Sequence, residues 1–128
     1  MINVVAALIE KDNNYLIAKR STGDLNSLGK WEFPGGKVKD GEDEKHAVER
    51  EIREEFEIEI KATDYIISNV YEYPTKTVNL KLYKCDYLSG EFNLHDHSEY
   101  NWVAKDKLLD YDLSLADVAL AKYVKDNL

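Results

Sequence analysis

Glu51, Glu54 and Glu55 stand at i, i+3 and i+4 in a stretch with helical periodicity, so their three carboxylates share one face. Crowded together they repel one another, and they fall near the end of the helix, where the dipole disfavours negative charge. A hard divalent cation removes both conflicts. Mg²⁺ takes carboxylate oxygens and keeps room for water and phosphate. The competing reading is a solvated, salt-bridged face, because Arg50–Glu54 and Arg53–Glu57 are i,i+4 pairs that soften the repulsion. Just upstream, Gly35-Gly36-Lys37 reads as a turn that lets the backbone approach the acids, and the Gly35 carbonyl is a candidate further ligand. Arg50 can orient Glu42 or Glu54 by charge-assisted hydrogen bonds. Arg20 and Lys37 are candidate phosphate contacts. Phe33 stands open between packing and substrate contact.

These residues need a scaffold, and the composition allows one. With 128 residues the chain is long enough for one domain with a real core, and 44% hydrophobic against 33% charged residues describes a soluble globular protein. No apolar run approaches the roughly 20 residues of a membrane span. The first residues lack a basic leader and read as a strand rather than a signal peptide. The single Cys85 rules out an internal disulfide framework and fits a cytoplasmic location. A net charge of −8 argues against long nucleic acid as a partner. A polyphosphate would need metal ions to screen the same charge.

Residues 2–10 and 14–20 read as a hairpin around Lys11-Asp12-Asn13. Residues 21–30 read as a loop, 31–33 as a short extended segment, and Val38 as part of another short strand. Asp40 is the expected cap of a helix over 42–56, with Asp43 as its capping-box partner and Ala47, Val48, Ile52 and Phe56 as the apolar stripe. Strands are expected at 63–73, 77–87 and 100–104. A last helix is expected over 115–126, with Leu115, Val118, Ala119 and Leu120 inward. Mixed strands and two helices imply an α/β sandwich. His95-Asp96-His97 has no cysteine companion and reads as a polar loop. Tyr71 and Tyr73 fit sheet packing or base stacking, and Trp31 and Trp102 read as core anchors.

Gly36, Glu42, Arg50, Glu51, Ile52, Glu54, Glu55 and Ile58 follow a spacing that resembles the Nudix hydrolase signature, and Trp31-Glu32-Phe33-Pro34-Gly35-Gly36-Lys37 resembles the lead-in of its MutT-like branch. The resemblance extends through Trp102 to the last helix. One position departs: Glu57 stands where the family has a glycine that ends the helix in a left-handed conformation, at a cost of roughly 1–2 kcal/mol for another residue.

The resemblance implies an α/β/α sandwich with a mixed β-sheet between helices, built as a single domain over residues 1–128. It implies Glu51, Glu54 and Glu55 as ligands of Mg²⁺ (or Mn²⁺), and hydrolysis of a nucleoside triphosphate to a monophosphate and pyrophosphate, as in nucleotide-pool sanitation. Asp96, six residues before Trp102, matches a glutamate used as metal ligand or base, with Glu99 as its alternative. Asp117, fifteen residues after Trp102, matches a base-reading asparagine and equally could cap its helix. As an ionised acceptor it would suit an exocyclic amine. The segment 111–117 resembles the ending of CTP-type pyrophosphohydrolases, so 8-oxo-dGTP and CTP-like substrates are rivals. The other readings are a hydrolase of nucleotide sugars, dinucleoside polyphosphates or capped RNA, and a non-catalytic binding module. The expected partner is a small nucleotide, with neither long nucleic acid nor membrane, and the chain a monomer or homodimer.

Overall fold

A computed structural model describes all 128 residues. Strand β1 (Ile2–Lys11) turns back into β2 (Asn14–Arg20) through Asp12 and Asn13, both at positive φ, the left-handed pair that a tight two-residue hairpin demands. The two strands pair only beside this turn, at Glu10–Tyr15 and Lys11–Asn14, and then diverge. Into the wedge run β3 (Trp31–Glu32), paired to β2, and β4 (Gly35–Lys37), paired to β1. The backbone between them is tied down where Ala7 N–H donates to the Pro34 carbonyl at 2.8 Å. The Gly35-Gly36 pair therefore lies inside a strand and is not a turn, and Val38 follows that strand rather than forming one. Sequence patterning could not show this, because the pairing partner is thirty residues away in β1.

Beyond the wedge, β1 pairs in parallel with β6 (Lys76–Ser89), β6 pairs with β5 (Glu59–Tyr73), and β7 (His97–Ala104) pairs with β2. Both expected central strands are longer than their alternation indicated. β5 carries register shifts near Ala62 and Tyr65, which break the period of two. At the first of them Glu49 accepts the Ala62 N–H at 2.9 Å, fastening a helix to the edge strand.

Alternation along β1 divides the core. Val5, Ala7 and Ile9 meet Ala47, Val48, Ile52 and Phe56 of helix α1 (Glu44–Phe56) on one face. Ala6 and Leu8 meet Leu120, Ala121 and Val124 of helix α2 (Leu115–Asn127) on the other, together with Leu108 of a short 3-10 helix at Lys105–Asp110. The result is the expected α/β/α sandwich. Neither helix is long and apolar enough to cross a membrane.

Two helix details depart from expectation. Asp43, not Asp40, caps α1, its side chain accepting the His46 N–H at 3.2 Å. In α2, Ser114 holds the cap position, and Ala116, Leu120, Ala121 and Val124 face inward while Leu115 and Ala119 are exposed. The inward stripe is rotated by one residue because a polar residue, Asp117, is among the buried ones.

Candidate active site

Helix α1 ends above the wedge, so its last two turns bring Glu51 and Glu55 over β4. Gly36 is small for a reason found here: a Cβ at that position would occupy the space of the Glu51 carboxylate. A Cβ on Gly35 would strike the Val5 carbonyl of β1. The helix stops at Glu57, which takes the left-handed conformation (φ 58°, ψ 31°) and donates its N–H to Arg53. Its position keeps the geometry a glycine would give, at the steric cost that a side chain carries there. The loop before β7 supplies further donors to the helix end: Asn93 N–H to the Phe56 carbonyl at 3.0 Å, and His95 N–H to that of Glu55 at 3.3 Å.

The acidic face is held by Arg50. Its guanidinium bonds Glu42 at 2.7 and 2.9 Å, Glu51 at 2.9 Å, Glu54 at 3.2 Å and the Lys37 carbonyl at 3.2 Å. Glu42 and Glu54 are thus both partners. Arg53 turns away from Glu57 and grips Glu59 in a bidentate pair at 2.8 and 2.9 Å, because the left-handed turn carries Glu57 off the helical face.

The three glutamates differ sharply in surroundings. Glu54 is half-exposed beside Arg50 at the rim. Glu51 and Glu55 line a cavity of about 550 Å³. Glu55 is buried, and its Oε1 has no hydrogen-bond partner. Burial first, then the charges of Glu32 and Glu51, push its carboxyl up to about 10, against the opposing pull of Arg20. Arg20 offsets only part of the cost of a carboxylate so placed, and a divalent cation would reverse the local balance. The donor set (carboxylates and a backbone carbonyl) is that of Mg²⁺ or Mn²⁺, and the residues present fit such an ion.

Arg20, Glu32, Phe33, Gly35, Lys37, Asp96 and Asp117 all line the same cavity. Arg20 bonds Glu32 at 3.1 Å, and Asp96 accepts from the Thr22 hydroxyl at 3.2 Å. Glu99 is not among the lining residues; it is exposed and 3.7 Å from Lys19. Asp117 is buried and accepts the Phe33 N–H at 2.9 Å. It does not cap its own helix. Burial first, then the nearby Glu32, push its carboxyl well above the ordinary range, a shift toward the protonated form, which can donate as well as accept, where an ionised acceptor was expected. Tyr73 packs in the cavity wall, its hydroxyl bonded to Ser114 at 2.8 Å and to Ala116 N–H at 3.0 Å.

Two residues of this constellation carried weak sequence signals. Glu32 is an acid between Trp31 and Phe33 in an otherwise apolar segment, which marks it as inward-facing polar chemistry. His97, grouped with a polar loop, is instead the buried first residue of β7. It stacks on Phe56 and its Nε2 lies 3.0 Å from Glu32.

This fold, a split mixed sheet with an acidic helix end over its wedge, belongs to the NUDIX domain family, whose model matches residues 4–123. The chain is 36% identical over 120 residues to the CTP pyrophosphohydrolase of Escherichia coli, covering 94% of this chain and 88% of that protein. It is 30% identical over 90 residues to the 8-oxo-dGTP diphosphatase of the same organism, 70% of each chain. The crystal structure of a MutT protein from Methanosarcina mazei superposes with a TM-score of 0.87 at 30% identity, covering 98% of this chain and 93% of that one.

Proposed function

We propose that this chain, as one domain, hydrolyses a nucleoside triphosphate to a nucleoside monophosphate and pyrophosphate with Mg²⁺ or Mn²⁺ as cofactor. The observation that carries this reading is the buried Glu55, whose Oε1 has no hydrogen-bond partner, lining one cavity with Glu51 and with the hydrogen-bonded Asp117–Phe33 pair. The glutamates suit a cation and polyphosphate, the Asp117–Phe33 pair a base. The names of the two bacterial relatives, a CTP pyrophosphohydrolase and an 8-oxo-dGTP diphosphatase, support nucleotide-pool sanitation and leave those two substrates as the rivals.

Glu51, Glu55 and the Gly35 carbonyl would hold the ion, with Glu54 completing the set from the rim. Bound there, the ion supplies charge neutralisation on the phosphates and a more acidic water. Arg50 fixes Glu51 and Glu54 in place. Arg20 and Lys37 contact phosphate oxygens. Asp96, on the cavity wall, takes the proton of the attacking water as its oxygen bonds phosphorus and the α–β anhydride bridge breaks. Phe33 and Asp117 meet the base, the neutral acid offering one donor and one acceptor to an amine or ring nitrogen.

The test is a panel of ordinary and oxidised triphosphates with Mg²⁺, scored for pyrophosphate. Release of pyrophosphate, abolished by chelator and lowered at least a hundredfold in kcat by Glu54→Gln, is the expected result. Orthophosphate alone, activity confined to nucleotide sugars, or tight binding without turnover would each replace this reading with another.

A further inference from the structure

We infer that His97 is a nitrogen ligand of the divalent cation, so that the inner side of the metal site is built for a transition ion rather than for Mg²⁺ alone. The inference rests on the metal-dependent reading above. Three elements converge on it: β3 brings Glu32, α1 brings Glu55, and β7 brings His97. Ligand atoms of the three lie within 4.8 Å of one another.

The orientation of the imidazole is fixed on both sides. The ring stacks on Phe56 with centroids 5.0 Å apart and planes 18° apart. Nε2 lies 3.0 Å from Glu32 Oε2, whose other partner is Arg20 at 3.1 Å. That carboxylate oxygen only accepts, so Nε2 carries the hydrogen and Nδ1 is left with a lone pair. Nδ1 faces Glu55 Oε1 at 4.0 Å. Both atoms are buried and neither has a hydrogen-bond partner. Two polar atoms facing each other out of water, each without a partner, are costly unless something binds both. Bonds of roughly 2.0–2.2 Å from a cation to nitrogen and to oxygen can span about 4.2 Å, enough for the gap. A carboxylate that accepts the other ring N–H is also the usual companion of a metal-bound histidine, and Glu32 fills that place.

A nitrogen donor favours Mn²⁺, Co²⁺ or Zn²⁺ over Mg²⁺, which prefers an all-oxygen shell. The protein without nucleotide is loaded with Mn²⁺, and the electron spin echo of the bound ion is recorded. Modulation from a directly coordinated ¹⁴N is expected in the wild type, lost in His97→Gln, and kept in His46→Gln and His95→Gln, which alter the other two histidines. The preference for Mn²⁺ over Mg²⁺ in direct competition should fall at least tenfold in His97→Gln. Bound Mn²⁺ without nitrogen modulation in the wild-type protein overturns this inference and leaves the proposed function standing. Failure of the wild type to bind Mn²⁺ overturns both. The wild-type spectrum decides the matter even if the variant does not fold.

Discussion

At the scale of single residues, Asp117 shows how a buried acid couples stability to recognition. Its carboxyl titrates well above the ordinary value of 3.8, chiefly because it is buried. An acid whose folded value is raised stabilises the fold fully below the unfolded value, and that contribution is lost as pH rises above it toward the folded value. Asp117→Asn removes the titration and keeps an oxygen for the Phe33 N–H. The variant should therefore match the wild type near pH 4 and become progressively more stable than it up to pH 8, measured by denaturant midpoints at each pH. A constant difference across that range would mean that Asp117 titrates normally. Asp117→Ala instead leaves the Phe33 N–H buried without a partner and should lose about 1–3 kcal/mol.

At the scale of elements, α1 and β4 act as a pair, and their glycines are not equivalent. A methyl group at Gly36 meets only the end of the Glu51 side chain, whereas one at Gly35 meets β1 backbone. Gly36→Ala should keep its melting temperature within a few degrees and lose at least tenfold in Mn²⁺ affinity, read by spin-resonance titration. Gly35→Ala should lose the fold's stability first, visible as a lowered melting temperature without any metal. Glu57→Gly relieves the left-handed strain at the helix end, partly offset by glycine's greater unfolded entropy, for a net gain of up to about 1 kcal/mol. Its metal dependence should be unchanged; abolished turnover would show that Glu57 has a chemical role.

The same elements show what a sequence can and cannot reveal. The carboxylate spacing on α1, the apolar stripe of Ala47, Val48, Ile52 and Phe56, and the Lys11–Asn13 turn are local patterns, legible from neighbours alone. The strand nature of Gly35-Gly36 depends on β1 pairing, and glycines carry no side-chain period to betray it. His97 reads as a polar loop because its burial depends on β2 and on Phe56, both distant in sequence. The inward stripe of α2 was obscured by Asp117, whose partner lies 84 residues away.

At the scale of the whole molecule, two cores on opposite faces of one sheet must tolerate a buried acid that Arg20 compensates only in part. Glu55 is raised from 4.5 to about 10, so in the metal-free protein it withholds stability increasingly as pH climbs from about 4.5 toward that value. A neutral amide of the same shape escapes this. Glu55→Gln should unfold at a higher temperature than the wild type in chelator, by more at pH 8 than at pH 5, where each 1 kcal/mol appears as roughly 3–5 °C for a chain of this size. Metal reverses the ranking. At a hundred times its dissociation constant, Mn²⁺ should stabilise the wild type by about 2.7 kcal/mol, and Glu55→Gln should gain far less because a ligand is gone. Differential scanning of both proteins, with and without Mn²⁺ at the two pH values, gives four comparisons. A wild type that outlasts the variant in chelator at pH 8 would mean that the buried carboxyl already has a partner. The cation would then be an addition to a finished fold rather than the piece that completes it.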